Sequence, residues 1–429
     1  MNISTNQTFL KLNLNSAQLF FNSFKAHFPL KMFERFVSFV LALFIEHKLC
    51  SLSALARKIC IDYQKLQYFL CDSKWDSFEN INRTRLNFIY SHKSTAPSAH
   101  GVVVIDDTAN PKPYSKKTQA VAYQWCNPLG RTENCHSIVF SAYADANKHF
   151  PIHFQTYKPA KLFKLAHKDP QFVPKTKIAA QLLNKLAQEP NLPNTVVLDS
   201  WYASAELINL SAELGLTLIS ELNSSRTLLL RHPETRQNKY TKVEDFVKII
   251  RKYYPHKLKY FKHRTEDGAV RSVPYFECQS KLKHVNDPVK VVVVLGKLFE
   301  EGKDNYRVFF STDIKLSGVK IIQLYSLRWG IERTFAELKE LFYFDQYQSA
   351  KLKTIERYWM LVIIAWTVAY WLKQCGALCK IVSAKQKTLA DTVRAVRALL
   401  EHHRHLKLIS CDPKLSYGIC SHRAIKRAA

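Results

Sequence analysis

Two aspartate positions and one glutamate in this sequence have the character needed to act on a phosphodiester. Asp106 and Asp107 follow the apolar run Val102 to Ile105, Asp199 follows Val196 to Leu198, and Glu332 lies within YSLRWGIERTFAELKE, Tyr325 to Glu340. Carboxylates are hard oxygen donors of the kind that hold Mg2+ while leaving it several waters. Two such ions about 4 Å apart activate water, align it with the phosphorus and stabilise the leaving 3′ oxygen. Asp106 and Asp107 are adjacent, so on a strand they point to opposite faces. Only one of them can face the other acids, and local chemistry alone leaves both open.

Glu332 has telling neighbours. Plotted at about 100° per residue, Tyr325, Arg328, Glu332 and Lys339 fall within roughly 60° of arc, beside an apolar face of Leu324, Leu327, Ile331, Phe335, Leu338, Leu341 and Phe342. The pattern predicts one amphipathic helix with a reactive stripe at the edge of its buried face. A solvated face with paired charges is the plain alternative, but Glu332 and Lys339 are too far apart for an i,i+4 pair.

The order Tyr, two residues, Arg, three residues, Glu, six residues, Lys resembles the signature of the IS4-type DDE transposases. The resemblance implies a ribonuclease-H-like catalytic core in which Asp199 and Glu332 are two of three metal-binding acids. For the first, the family pattern of strand, Asp, one further residue and Thr matches Ile105, Asp106, Asp107 and Thr108. Asp106 is therefore preferred, with Asp107 the alternative. Tyr325, Arg328 and Lys339 would grip DNA phosphates, Arg as a bidentate clamp and Lys as a point charge. Also implied are Mg2+ as cofactor with Mn2+ as substitute, cleavage at insertion-sequence terminal inverted repeats, and joining of the freed 3′ hydroxyl to target DNA. A hairpin route for the second strand and a homodimer holding two ends complete the implied picture.

The elements that must position these residues are legible in outline. The fold class expected is α/β: a ribonuclease-H-like mixed sheet flanked by helices, interrupted by a β-rich insertion, with helical N- and C-terminal regions. Residues 1–97 form a helical DNA-binding domain. Within it, SLSALARKICIDYQKLQYFLCDSKWD suits a helix-turn-helix exposing Arg57, Lys58, Lys65 and Lys74, or an ordinary helical pair. Residues 98–221 and 312–350 form the catalytic core, with strands ending in Asp106 or Asp107 and in Asp199, the positions where open α/β sheets collect ligands. Residues 222–311 form the insertion, with strands at VPYFECQ, VKVVVVLGKLF and NYRVFFST. Residues 351–429 form a helical region with a basic tail. Trp201 and Trp329 are candidates for stacking on an unpaired base or for core packing. Lys112, Lys116 and Lys117 line either the DNA path or a solvated loop.

Composition narrows the function class. Among 429 residues, 63 Lys and Arg against 35 Asp and Glu leave a net charge of +28, while 47% hydrophobic residues are ample for a core. Basic residues spread along the whole chain point to a polyanion, and to double-stranded DNA before a membrane surface. MNISTNQTFLKLNLN lacks the form of a signal peptide, and Trp359 to Leu372 is short for a bilayer span. The expected location is cytoplasmic, with the nucleoid when DNA is bound. Ten cysteines at irregular spacing fit reduced thiols. Cys375, Cys379, Cys411 and Cys420 with His402, His403, His405 and His422 lack the usual spacing of a zinc site. Two other functions stay in play: a structure-selective nuclease on the same core, and a catalytically silent DNA-binding regulator.

Overall fold

Runs of β-branched residues dictate the central sheet. Val102 to Ile105, Val196 to Leu198 and Val291 to Val294 are wholly apolar, which suits strands covered on both faces. In the computed structural model, which describes residues 15–45, 51–264, 268–296, 306–376, 378 and 387–411, every one of these side chains is buried. Each contributes about 1.5–3 kcal/mol by leaving water.

The N-terminal elements are α1 (Asn15–Asn22), α2 (Leu30–Ile45), α3 (Leu52–Ile59), α4 (Tyr63–Cys71) and α5 (Phe78–Tyr90). Then come β1 (Val102–Pro111), β2 (Ala122–Cys126), β3 (Arg131–Ala144), β4 (His149–Tyr157), α6 (Lys175–Ala187), β5 (Thr195–Leu198), α7 (Ala205–Glu213) and β6 (Thr217–Glu221). The hairpin β7 (Thr227–Arg231) and β8 (Asn238–Lys242) leads into α8 (Val243–Tyr253), β9 (Lys259–Arg264), β10 (Val270–Ser280), β11 (Val289–Leu295) and β12 (Tyr306–Ser311). The last described elements are α9 (Gly318–Ser326), α10 (Trp329–Phe342), α11 (Leu352–Gln374) and α12 (Leu389–Cys411).

These elements form two compact units, one of Pro97–Ala109 and His136–Glu332, the other of Met1–Ala96, Asn110–Cys135 and Arg333–Ala429. In the first, β4 pairs with β3, and the order continues β3, β1, β5, β6, β12, β11, β10, β9. β1 runs parallel to β5 and β5 to β6, while β6 and β12 are antiparallel. The helices α6 and α7 carry the crossovers that parallel pairing demands. This is the mixed sheet flanked by helices of a ribonuclease-H-like fold.

Two features depart from the sequence reading. β1 does not stop at the carboxylates; it continues to Pro111, although its pairing with β5 ends at Ile105. Residues 222–311 contain the expected strands, but β9 to β12 continue the same sheet through the pairing of Phe310 with Ser220. Covering β6 in this way removes an exposed strand edge from the core.

The helical unit is organised by α11, buried from Tyr358 to Leu372 with both Trp359 and Trp366 at 0% exposure. No helix among the described residues is long and apolar enough to cross a membrane. On one side of α11, Arg357, only 4% exposed, donates to the carbonyls of Leu70 at 3.1 Å and Ser73 at 2.8 Å. Its guanidinium also lies 4.7 Å from the Trp75 ring centroid. Those carbonyls end α4, where a cation satisfies otherwise orphaned acceptors. Arg357→Ala is expected to lower the unfolding free energy by about 3 kcal/mol, read as a reduced urea midpoint.

Candidate active site

The strand register brings two of the acids together. Ile105 pairs with Leu198 across the parallel strands β1 and β5, so the next residue on each is an aspartate, Asp106 and Asp199. Neighbouring strands lie about 4.8 Å apart, so the residues that follow the last pair leave their strands side by side. Burial pushes the Asp106 carboxyl up to about 7; Arg328 opposes the shift, and the charges of Asp107 and Asp199 add to it. Asp199 accepts a hydrogen bond from the Trp201 amide at 3.3 Å, and no cation pairs with it within this unit among the described residues.

Glu332 arrives on α10, and the expected single helix over 325–340 is in fact two. α9 ends at Ser326, and the joint is a run of i to i+3 bonds: Arg328 N–H to Tyr325 carbonyl at 3.0 Å, Gly330 to Leu327 at 2.9 Å, Ile331 to Arg328 at 3.1 Å. The tight turn follows from packing. A Cβ at Gly330 would stand 2.4 Å from the Ala144 Cβ of β3, so the start of α10 presses on the sheet closer than any side chain allows. The break places Tyr325 and Glu332 on different helices and leaves Arg328 between them.

Arg328 then spans the site. One guanidinium nitrogen donates to Asp106 Oδ2 at 2.9 Å and the other to Glu332 Oε1 at 2.7 Å. The rigid fork holds those two carboxylate oxygens no more than about 8 Å apart. Arg328 thus links Asp106 and Glu332, while Asp199 contributes to the field that stabilises its charge.

Asp107 faces the other way and is fully engaged. It takes the Lys175 ammonium from the start of α6 at 2.7 Å, and the hydroxyls of Tyr202 at 2.9 Å and Ser137 at 3.3 Å. Tyr202 is buried, and its hydroxyl is raised well above its ordinary range by burial and the nearby acids. Because Tyr202 lies three residues after Asp199, its bond to Asp107 ties the two acid-bearing segments together.

The remaining sequence candidates separate. Tyr325 is 6% exposed; its hydroxyl meets Glu221 at 3.4 Å, and its ring packs 4.8 Å from Phe309. Glu221 is itself held by Arg307, whose Nε donates at 2.9 Å. Lys339 lies in the helical unit, half-buried, with burial lowering its ammonium below the usual range. Trp201 and Trp329 are 59% and 63% exposed, which removes core packing as their role. Lys112 is an anchor within its own unit, donating to the carbonyls of Asp345 at 2.8 Å and Tyr347 at 3.0 Å, whereas Lys116 and Lys117 are exposed. Sequence reasoning missed Tyr202 and Lys175, and also the Glu221 and Arg307 pair, whose partners are too distant in sequence to signal each other.

Hard carboxylate oxygens suit Mg2+, and the two carboxylates paired with Arg328 already carry more negative charge than it neutralises. The donor set therefore fits a divalent ion. With Arg328 drawing two of the carboxylates to itself, no ready-made cluster of three ligands occurs among the described residues. The same holds for zinc: Cys375 meets Ser94 and His92, His402 is exposed, and Cys379, Cys411, Cys420, His403, His405 and His422 fall outside the described side chains.

Comparison with known proteins bears on the family. The family described as DDE superfamily endonuclease matches residues 25–258, a span that includes Asp106, Asp107 and Asp199 and stops short of Glu332. A relative described as "Probable transposase for insertion sequence element IS701", from Microchaete diplosiphon, is 30% identical over 206 residues, 47% of this chain. The match spans about half the length of that curated relative, 52%.

Proposed function

The chain belongs to the DDE superfamily endonucleases, and from that premise we propose that it is an IS4-type transposase that cuts the ends of an insertion sequence and joins them to target DNA. The observation that carries this reading is the Arg328 fork across Asp106 and Glu332, with Asp106 and Asp199 each following the last paired residues of β1 and β5.

Asp106, Asp199 and Glu332 would hold the divalent ions, Mg2+ or Mn2+ in its place. When bound, these supply positive charge to the attacking and leaving oxygens. In cleavage, a water oxygen forms the new bond to phosphorus, the bond to the 3′ oxygen of the element end breaks, and that oxygen takes a proton. In joining, the freed 3′ hydroxyl attacks a target phosphodiester in the same manner. Arg328 is the group whose planar fork suits a phosphate, with Tyr325 as a second phosphate contact; Lys339 is a DNA-phosphate contact of the helical unit. Exposed Trp201 and Trp329 offer stacking surfaces for a base displaced during a hairpin step. Synapsis of two ends calls for a homodimer, and the N-terminal helices serve as the DNA-binding domain.

Asp107 is assigned as a positioning residue with Tyr202 and Lys175. Tyr202→Phe, which deletes one hydroxyl, is expected to raise the Mg2+ concentration for half-maximal cleavage by about 10-fold while leaving the fold intact by circular dichroism.

The test incubates the purified chain with duplexes carrying the DNA that flanks its gene, in Mg2+ or with EDTA. Expected products are 3′ hydroxyl ends and their joined forms, both absent with EDTA. Cutting without joining would favour the nuclease, and binding without cutting the silent regulator.

A further inference from the structure

The described N-terminal helices carry a face that the chemistry of the acids does not use. α3 ends at Ile59 and α4 begins at Tyr63, with three residues between them. Cys60 takes the left-handed conformation, φ 54° and ψ 41°, and Asp62 caps α4 by accepting the Lys65 amide at 3.2 Å. A three-residue turn with its first residue left-handed is the connection of a helix-turn-helix; the position usually held by Gly is filled here by Cys60.

The sides of α4 are sharply divided. Leu66, Phe69 and Leu70 are buried, whereas Gln64, Gln67 and Tyr68 lie on the other side, with Tyr63 and Lys65 exposed at its margins. Tyr63 and Tyr68 are 44% and 51% exposed. None of these five side chains makes a hydrogen bond or ion pair among the described residues. Two tyrosines and two glutamines without a carboxylate form an unusual surface for a helix that only needs solvation. Arg57, Lys58 and Lys74, also unpaired, flank it; Asp62 is spent on the cap, and Asp72 lies beyond the far end. The far end is also where Arg357 clamps the helix to α11, so α4 is anchored there while Gln64 and Gln67 nearer its start stay exposed, as a recognition helix requires.

We propose that α4 enters the major groove of double-stranded DNA and reads base edges with Gln64 and Gln67. The inference rests on the proposed action on DNA and adds to it where sequence is read. A glutamine side chain offers the paired donor and acceptor that match adenine N7 and N6, and an aromatic edge packs on the thymine methyl. The preferred site is therefore rich in A·T pairs under α4. Arg57, Lys58, Lys65 and Lys74 take flanking phosphates, which add affinity but no sequence preference.

The test is selection of duplexes from a randomised pool by the full chain, then binding measurements over a range of salt. Wild type is expected to enrich a motif with A·T positions. The Gln64→Ala/Gln67→Ala variant is expected to lose preference at one or two of them and to bind the wild-type motif about tenfold or more weakly, with its salt slope unchanged. Lys65→Ala is expected to weaken all sequences alike and to reduce the slope by about 1. An unchanged motif and affinity in the double variant would overturn the proposal, as would a change in its oligomeric state without a change in selection. Cleavage is scored separately: a wild-type chain that cuts in Mg2+ but selects no motif refutes base reading by α4 alone, and one that selects a motif but never cuts refutes the proposed chemistry alone.

Discussion

Glu332→Gln is expected to reduce cleavage of end-bearing DNA by at least about 10^3-fold with almost no change in stability. The substitution removes one negative charge and nothing else of consequence. A glutamine oxygen still accepts the Arg328 hydrogen bond that Glu332 Oε1 takes at 2.7 Å, so the turn before α10 and the fork across Asp106 persist. What disappears is a hard anionic ligand, which a neutral amide replaces poorly at a divalent ion. Single-turnover nicking, with thermal melting as the control for folding, separates loss of charge from loss of structure. Asp106→Asn is expected to match this loss. Asp107→Asn, which weakens a link to Lys175 and Tyr202 on the opposite face, is expected to fall well short of it. Equal losses at Asp106 and Asp107 would remove the distinction drawn between ligand and positioning residue.

Gly330→Ala is expected to impair the site through the backbone. The added methyl would stand 2.4 Å from the Ala144 Cβ and 3.5 Å from that of His149, with the Ala144 backbone 3.6 Å away. Strand β3 cannot move aside without disturbing its pairing with β4, so the start of α10 must shift. Overpacking of this kind costs about 1–3 kcal/mol. Glu332 lies two residues further on, and a displacement near 1 Å in a catalytic group costs on the order of 10^2-fold in rate. Cleavage should therefore fall much further than the small drop in melting temperature implies. Full activity together with wild-type stability would show that α10 is not held against the sheet at this point.

What the sequence made legible was local. Val102 to Ile105 and Val196 to Leu198 are short apolar runs followed at once by acids, and a buried strand with a carboxylate beyond it needs no partner to be recognised. Tertiary constraint was not legible. Leu327 to Glu332 reads as helix by its apolar spacing, with Gly330 alone disfavouring one; the break comes from the approach of Gly330 to Ala144, residues far apart in the chain. The stripe drawn from a single helix wheel therefore placed Tyr325 beside Glu332, when the phenol instead belongs with Glu221 and Arg307. The choice between Asp106 and Asp107 needed the same long-range information, since only the positions of Lys175, Tyr202 and Arg328 give the two faces of β1 different chemistry. At Cys60 the turn lacked the glycine that would have announced it.

The most direct measurement is anomalous diffraction at the manganese edge from crystals of the chain bound to end DNA in Mn2+. Two peaks about 4 Å apart, ligated by Asp106, Asp199 and Glu332 with Asp107 still bound to Lys175 and Tyr202, are the expected result. Manganese on Asp107, or none within ligating distance of Asp106 and Asp199, would contradict it.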